Sequence, residues 1–334
     1  FWSPDTGFVI GFLRKYWHFL VIPIILTSLK REYIEKVITF FLIGMFISEV
    51  FSYGIFFEII QYKNILPSNP APFMDHMNYS TYLAFAALLI LNRLFFEEEF
   101  KYKMFYGFYF LLTVSSLFLN GGRTGQVIFA ISIFIVGFIN FKRKFFAFCF
   151  ILVLFSSIVS AAYNISPNFY TQINQAAVDV QNLLEGNFNG SFGQRVSLWI
   201  MGTNIFIDNI ISGTGIGNEL KGLTNYANEY DFKRYSSDEF DKVGFIDFHN
   251  SFVQYAAQLG VFGLFLFIGV FYSLLMNKFK NKMYQNLNII FVVTFILHST
   301  VFFSFHLIHP MVLFSLFASV LSLISRIDKE ESIK

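Results

Sequence analysis

Residues 145–163 read FFAFCFILVLFSSIVSAAY, and this stretch directly follows the basic triplet Lys142, Arg143 and Lys144. Its 19 residues carry no charge, and a helix needs about 20 mostly apolar residues to cross the hydrocarbon core of a bilayer. The stretch therefore predicts a membrane-spanning helix with a basic flank. Cys149, inside it, is the single cysteine of the chain, which excludes internal disulfides and thiolate metal sites.

The composition extends this prediction along the chain. Hydrophobic residues make up 55% of the 334 residues and charged residues 14%, whereas a soluble domain carries about a quarter charged residues. The mean hydropathy is +0.56. We expect an all-α polytopic membrane protein with about nine transmembrane helices and one long, partly helical extracytoplasmic loop. The other predicted spans are 16–29 (extending back toward 8), 37–59, 78–96, 104–119, 124–139, 251–276, 287–305 and 310–325.

The first of these spans has basic residues at its edge, Arg14 and Lys15. We expect it to enter the bilayer obliquely or to lie partly in the interface, because charged groups avoid the hydrocarbon core.

The short loops between spans set the expected orientation, because Lys and Arg accumulate on the cytoplasmic side of a membrane. Alternate connectors are basic, and those between them hold almost no basic residue. The C-terminus is therefore expected in the cytoplasm and the loop 164–248 outside. The basic connectors contain Lys30, Arg31 and Lys36; Lys101 and Lys103; Lys142, Arg143 and Lys144; and Lys278, Lys280 and Lys282.

This orientation divides the chain into predicted regions. Residues 1–163 hold the N-terminal transmembrane helices (about six), 164–248 form the long periplasmic loop, 249–326 hold the C-terminal transmembrane helices, and 327–334 form a cytoplasmic tail. The chain begins at Phe1 and not at Met, so we expect native residues to precede it, and the parity of crossings predicts about twelve helices in the native protein. Periodic apolar stretches in the loop, notably 196–211, predict short helices on the membrane surface.

The strongest local motif is His249-Asn250, followed by Gly260 and Gly263, where the loop meets a predicted span. A helix start offers unpaired N–H groups that suit a phosphate-bearing ligand, and histidine is the usual general base at neutral pH. The two glycines would let another helix approach closely. The alternative is an interfacial histidine above an ordinary small-residue helix contact.

A second motif is Arg195 with Leu198 and Trp199, followed by the glycine-rich stretch that contains Gly215 and Gly217. Arginine suits oxyanions because its planar fork of donors binds two oxygens. The glycines would permit a tight turn with exposed backbone N–H groups, but no predicted strand precedes them, which excludes a dinucleotide site. The alternative is an Arg195 that pairs with one of the loop acids.

A third motif is Gly122-Arg123-Thr124-Gly125, at the outer turn between two predicted spans. Arg123 opposes the topological bias of the short loops, which indicates a site facing the outer leaflet. The alternative is an arginine that snorkels to the interface.

Other polar residues give weaker signals. Glu49 lies inside a span, where an ionisable group suggests function unless an ion pair satisfies it. Asp75 and His76 stand at an outer helix start, where they would contact a ligand or solvent. For His298, His306 and His309 we expect structural or interfacial roles and no metal site, because no carboxylate or cysteine joins them at a ligand spacing.

Together these motifs resemble the O-antigen ligase and O-antigen polymerase superfamily of bacterial membrane proteins. The resemblance rests on His249-Asn250-x9-Gly260-x-x-Gly263, on Arg195-x-x-Leu198-Trp199 with Gly215-x-Gly217, and on Gly122-Arg123-Thr124-Gly125. It covers about residues 111–263. The chain departs from the family pattern in having Gly122 where serine is common and in lacking the N-terminal helices.

The resemblance implies a glycosyltransferase of the bacterial inner membrane. Such an enzyme moves a glycan from undecaprenyl diphosphate to an acceptor hydroxyl at the periplasmic face, with inversion and with neither metal nor cofactor. The ligase form, which takes lipid A-core as acceptor, fits the histidine motif best; a polymerase and a protein O-oligosaccharyltransferase are the alternatives within the family. His249 would be the general base and Arg195 and Arg123 would bind the diphosphate, with Asn250, Gly215, Gly217, Gly260 and Gly263 in support.

A transporter for lipid-linked glycans is the non-enzyme alternative. Transporters usually show internal repeats and ionisable residues along a central path, whereas this sequence has no repeat and places Glu49 and His298 alone well within spans. Nothing in the sequence indicates a nucleic-acid partner. The expected partners are the lipid-linked donor, the acceptor and the bilayer.

Overall fold

The computed structural model describes residues 6–188, 190–230, 232 and 247–333. Every regular element in these residues is a helix, which confirms the predicted all-α class. The α-helices are α1 (Thr6–Arg14), α2 (Val21–Ser28), α3 (Ile34–Phe56), α4 (His76–Phe96), α5 (Phe100–Leu119), α6 (Arg123–Asn140), α7 (Lys144–Ile165), α8 (Pro167–Leu184), α9 (Ser191–Asp208), α10 (Glu219–Glu229), α11 (Ser251–Leu275), α12 (Lys282–Val301) and α13 (Ile308–Ile333).

Nine helical segments within the described residues are long and apolar enough to cross a membrane, as predicted. They are Val9–Ser28, Arg31–Phe56, His76–Phe96, Phe100–Leu119, Arg123–Asn140, Lys144–Ile165, Ser251–Leu275, Lys282–Val301 and Ile308–Ile333. Their burial differs widely. In α4, 67% of the most apolar window is buried by protein, against 11% in α7 and 6% in Val9–Ser28. The side chains of these last two segments therefore depend most on lipid for their apolar surroundings.

Several predicted spans differ from the structure. The first span is not one regular helix, because a 3₁₀ segment, Lys15–Leu20, separates α1 from α2. The predicted span 287–305 ends too late: α12 stops at Val301, and Ser304–His306 forms a 3₁₀ turn. The Phe302 carbonyl accepts hydrogen bonds from both the N–H (3.1 Å) and the hydroxyl (2.8 Å) of Ser251, the first residue of α11.

The chain forms two compact units, of which the larger comprises residues 21–173, 274–298 and the chain from Leu313 onward. In this unit α4 packs against α5 and α6. Its core is aromatic: Phe85 lies edge-on to Phe317 at 4.6 Å between ring centroids, and both rings are buried. Asp75 begins α4 by accepting from the N–H groups of Met77 and Asn78, which satisfies donors that a helix start leaves free.

The smaller unit comprises Leu20 and the residues before it, Asn174–Ser273 and Ser299–Val312. It contains α9, α10 and nearly all of α11. Its buried cluster joins these three helices and the segment before α11; the members are Leu198, Met201, Ile205, Leu223, Ala227, Phe232, Phe248 and Ala257.

The predicted outer loop is largely helical where it is described. The helix expected around 196–211 is α9, and α8 and α9 each run for 18 residues, which is longer than the short helices expected. Residues 189, 231 and 233–246 of this loop, residues 1–5 and Lys334 lie outside the described residues. The expected tail from 327 continues α13 as helix to Ile333.

Candidate active site

The start of α11 holds His249 between two fixed neighbours. Phe248 is fully buried in the cluster of the smaller unit, and its N–H donates to the side-chain oxygen of Gln254 at 2.9 Å. Asn250 caps α11, since its Oδ1 accepts from the N–H groups of Phe252 (2.9 Å) and Val253 (3.1 Å). The cap accounts for the position of Asn250 in the motif, because asparagine is among the best residues at a helix N-cap.

This arrangement contradicts the expectation of unpaired N–H groups at the start of α11. The N–H of Ser251 donates to the Phe302 carbonyl, and the next two N–H groups are held by Asn250. A phosphate at this position would have to displace internal hydrogen bonds. An anion at this position would therefore have to bind through side chains.

The backbone of His249 has a left-handed conformation, with φ of 50°. Such conformations are uncommon outside glycine, although histidine tolerates them better than most residues. The N–H of His249 donates to Oδ1 of Asp247 at 2.7 Å, and Oδ2 of Asp247 lies 3.9 Å from His249 Nδ1. The carboxylate of Asp247 therefore fixes the turn and faces one edge of the imidazole.

The two nitrogens of the imidazole have different surroundings. Nδ1 is buried and makes no hydrogen bond, while the side chain as a whole is 41% exposed. The exposed area of His249 therefore belongs to the rest of the side chain. Because Nδ1 is buried and faces a carboxylate, Nε2 is the nitrogen that a proton transfer at this residue would use.

Phe302 brings Arg195 and His249 to one aromatic ring. The His249 ring lies edge-on to Phe302 at 6.3 Å between centroids, and Cζ of Arg195 lies 5.6 Å above the centroid of the same ring. Arg195 is half-buried on α9. The aromatic face holds the plane of the guanidinium, and a guanidinium matches the geometry of planar anions.

The electrostatic environment keeps the imidazole neutral. Burial lowers the pKa of His249 below its ordinary 6.5; Asp247 raises this pKa and Arg195 lowers it, with a net decrease. Burial raises the pKa of Asp247, against the lowering effects of His249 and Arg195. At neutral pH the imidazole is therefore neutral, the form in which histidine accepts a proton.

The glycine-rich loop after α9 is hydrogen-bonded to α11. Gly213, Gly215 and Gly217 have φ of 65°, 85° and 86°, conformations that favour glycine. The N–H of Gly215 donates to the Gln258 carbonyl, and that of Gly217 donates to the carboxylate of Glu219. The expectation of exposed N–H groups at Gly215 and Gly217 is therefore wrong. Any supporting role for them is conformational.

Glu219 is a fully buried carboxylate that links the glycine-rich loop, through Gln254, to the residue before His249. It accepts from Gln258 Nε2 at 2.8 Å and from Gln254 Nε2 at 3.4 Å. Gln254 in turn holds the N–H of Phe248, the residue before His249. Burial raises the pKa of Glu219, opposed chiefly by its hydrogen bond from Gln258. This chain of contacts positions the backbone of the candidate site.

Gly260 interrupts α11 with φ of 66° and ψ of −159°. A Cβ there would lie 2.4 Å from the carbonyl oxygen of Ile211, and the next N–H, of Val261, donates to Ile210. A Cβ at Gly263 would meet Leu259 and the Tyr255 carbonyl, both in the first half of α11. The expected role of these glycines in helix–helix approach is wrong: they accommodate a break in α11.

Arg123 belongs to the larger unit, as the first residue of α6. Its neighbours Gly122 and Gly125 face α4 so closely that a Cβ at either would overlap Ser80, within 2.2 and 2.1 Å respectively. The side chain at 122 must be small because Ser80 and the His76 carbonyl fill this space. The role of Arg123 in diphosphate binding stays a prediction from sequence.

Two other sequence candidates, Asp75 and His306, lie in structural contacts. Asp75 caps α4. Nε2 of His306 lies 2.7 Å from the Lys15 ammonium, and the His306 ring stacks on Phe303 at 5.2 Å. Burial, and then Lys15, lower the pKa of His306 to about 4. Within the described ranges no three His, Cys, Asp or Glu side chains form a group that could hold a metal ion.

Residues 108–268 match the family model described as O-antigen ligase. This part of the chain is similar to the O-antigen ligase family. The match extends from α5 to the second half of α11 and includes Arg123, Arg195 and His249. No curated protein matches the chain.

The match indicates a glycosyltransferase-like enzyme of a bacterial membrane, with an O-antigen ligase or polymerase type of function. It implies lipid-linked glycans and lipid-bound acceptors as the class of partners. Sequence reasoning missed Asp247 and Phe302 as neighbours of His249. The signal at Asp247 was its spacing, two residues before His249; Phe302 gave none, since it is one of 49 phenylalanines.

Proposed function

We propose that this chain transfers a glycan from undecaprenyl diphosphate to an acceptor hydroxyl, with lipid A-core as the acceptor. The observation that carries the proposal is the convergence of Asp247, His249 and Arg195 around Phe302, inside the family match. A neutral imidazole and a half-buried arginine are the two groups that metal-independent transfer from a diphosphate requires: a base for the acceptor and a cation for the leaving group.

In the proposed step, the acceptor oxygen attacks the anomeric carbon and forms the new glycosidic bond. The bond from that carbon to the diphosphate oxygen breaks with inversion, and its electron pair leaves with the diphosphate. The acceptor proton passes to Nε2 of His249, while Asp247 stabilises the resulting imidazolium. Arg195 binds the diphosphate as its charge increases. Arg123 remains a second proposed cation, supported by its sequence motif.

Reconstitution tests the acceptor. The purified chain in proteoliposomes receives an undecaprenyl-diphosphate glycan together with lipid A-core, a second carrier-linked glycan or a protein, each in a separate reaction. Glycan on lipid A-core supports ligation. Product with carrier-linked glycan alone would make the chain a polymerase, and product with protein alone an oligosaccharyltransferase. No product in any reaction, with protein of native folding yield, would contradict the proposal.

We also propose that the site faces the periplasm of the inner membrane and that the C-terminus is cytoplasmic, on the Lys/Arg distribution. The test introduces one cysteine at a time, Glu185→Cys or Lys329→Cys, into a Cys149→Ala background. An impermeant maleimide should label Glu185→Cys from outside and Lys329→Cys after the inner membrane is permeabilised. The reverse pattern would overturn the orientation.

A further inference from the structure

Glu49 is a carboxyl group inside a membrane span without a charged partner. It lies on α3 in the segment Arg31–Phe56 and is 2% exposed. Its Oε1 accepts one hydrogen bond, from the Thr113 hydroxyl on α5 at 3.0 Å, and its Oε2 has no hydrogen-bond partner. In the described part of the chain no lysine, arginine or histidine pairs with it, so the ion pair that would have made Glu49 structural is absent.

Other buried hydroxyl groups around Glu49 also lack partners. The oxygens of Ser48 on α3, Tyr79 on α4 and Ser116 on α5 are buried without a hydrogen bond. The Tyr79 hydroxyl lies beside those of Ser48 and Ser116 and close to the Glu49 carboxyl. Buried polar groups are almost always satisfied in native proteins. The unpartnered Oε2 of Glu49, with hydroxyl oxygens beside it, therefore indicates a missing positive partner.

The cluster lies at one end of three packed helices. Glu49 stands seven residues before the end of α3, while Tyr79 and Ser116 stand three residues from the start of α4 and the end of α5. At 1.5 Å per residue this places Glu49 about 10 Å below the end of α3. The same end carries the turn before α6. Ser52, one turn further along α3, donates to the Pro70 carbonyl.

An ionised carboxylate is expensive at this depth. Removing it from water costs several kcal/mol even after relaxation, and one hydrogen bond from a hydroxyl does not offset this cost. The titratable groups that face Glu49 are phenols, namely Tyr53 on its own helix, Tyr79 on α4 and Tyr109 on α5. Phenols are neutral at physiological pH and provide no positive charge.

We propose that Glu49 and the hydroxyls around it bind one monovalent cation, either a proton or an alkali-metal ion. A proton on Oε2 would donate to a neighbouring hydroxyl oxygen. An alkali-metal ion would take the carboxylate and the hydroxyl oxygens as ligands, since hard cations prefer oxygen. Both occupants neutralise the carboxylate and satisfy the unpartnered oxygens. The site is independent of the proposed glycosyl transfer.

Carbodiimide labelling tests this site on the whole purified chain in lipid nanodiscs. Dicyclohexylcarbodiimide reacts with protonated carboxyl groups in apolar surroundings, and mass spectrometry locates the product. Glu49 should be labelled, and the rate should fall about tenfold for each pH unit above its titration midpoint. Glu35 is a matched control on the same helix, because it pairs with Arg93 at 2.5 Å and should remain unlabelled.

The salt distinguishes the two occupants. Slower labelling of Glu49 in sodium chloride than in choline chloride at the same pH would identify an alkali-metal ion, and equal rates would identify a proton. No labelling of Glu49 in either salt from pH 5 to 8 would overturn the proposal, as would a rate independent of pH.

A stability measurement supplies a second readout that needs no reagent. The wild type should lose thermal stability relative to Glu49→Gln as the pH rises in choline chloride, because the amide is neutral at every pH. Sodium chloride should restore the loss if the occupant is an alkali-metal ion. Parallel pH profiles of the two proteins would count against a bound cation.

Discussion

The starts of α11 and α6 resemble each other in sequence, since each has a candidate polar residue beside glycines, but they are built differently. At α11 the neighbours of His249 are ionisable or aromatic side chains, Asp247 and Phe302, with Arg195 over the same ring. At α6 the neighbours of Gly122 and Gly125 are Ser80 and backbone atoms of α4.

The difference teaches how to separate chemistry from packing in such motifs. At the start of α11 the expected free N–H groups are already used, because Phe302 and Asn250 accept them. At the start of α6, Asn120 and Ser80 accept the N–H groups of Gly122 and Gly125. What distinguishes the α11 site is therefore its side chains. Substitutions of the side chains at the α11 site should change the rate of glycan transfer. Substitutions of the glycines at the start of α6 should change the stability of the fold.

The largest effect should follow from Gly125→Ala. Its Cβ would lie 2.1 Å from the carbonyl oxygen of Ser80, and overpacking against backbone costs about 3 kcal/mol, a large share of the stability of a domain. We expect a marked fall in folded yield and melting temperature, measured by size-exclusion chromatography and thermal unfolding. Gly107→Ala on α5 is the control, because nothing lies within 4 Å of its Cβ. Equal stability of the two variants would contradict the claim that Gly125 is required for close packing against Ser80.

Arg195→Lys should reduce transfer without loss of fold. A point charge does not reproduce the two parallel hydrogen bonds of a guanidinium to a diphosphate, and the loss of one bond to a charged group corresponds to about 10–100-fold in rate. Turnover and donor binding are measured at equal folding yield. Arg143→Lys, at an exposed arginine before α7, is the control and should be neutral. Normal turnover in both Arg195→Lys and Arg195→Ala would exclude the proposed diphosphate contact.

The pH dependence of transfer should respond to the two neighbours of His249 in opposite directions. The folded-state pKa of His249 is lowered, so the wild type should stay active below pH 6.5 and lose activity at still lower pH, as the imidazole protonates. Asp247 raises this pKa and Arg195 lowers it. Asp247→Asn should therefore shift the acid limb to lower pH and Arg195→Gln to higher pH, in profiles of kcat/KM. Shifts in the same direction would contradict the arrangement.

Much of the fold follows from the sequence. Apolar stretches of spanning length, such as 145–163, indicate helices. In the hydrocarbon core there is no water to bond the backbone N–H and C=O groups, so they must form hydrogen bonds within the segment. The end of α12 at Val301 was not predicted. The carbonyl of the next residue, Phe302, accepts a hydrogen bond from Ser251, which lies 51 residues earlier in the chain. Such a contact joins distant parts of the chain and leaves no local pattern.

The candidate site was predictable in part. His249 and Arg195 were found because their residue types suit the chemistry, and their common contact with Phe302 is a property of the fold. The glycines were misread for a physical reason: a glycine-rich stretch exposes N–H groups unless other carbonyls approach. Here the Gln258 carbonyl and Glu219 do so, and the sequence does not record which groups will meet.

The central claim is that His249 takes the acceptor proton, and His249→Ala tests it most directly when donor binding and single-turnover transfer are measured on the same preparation. Loss of a general base typically costs about 10²–10⁴ in rate, so the variant should bind the undecaprenyl-diphosphate glycan with near-normal affinity and transfer it that much more slowly. His306→Ala is the control and should retain both. Lost donor binding together with a normal rate at saturating donor would show that His249 binds substrate, and would contradict the account.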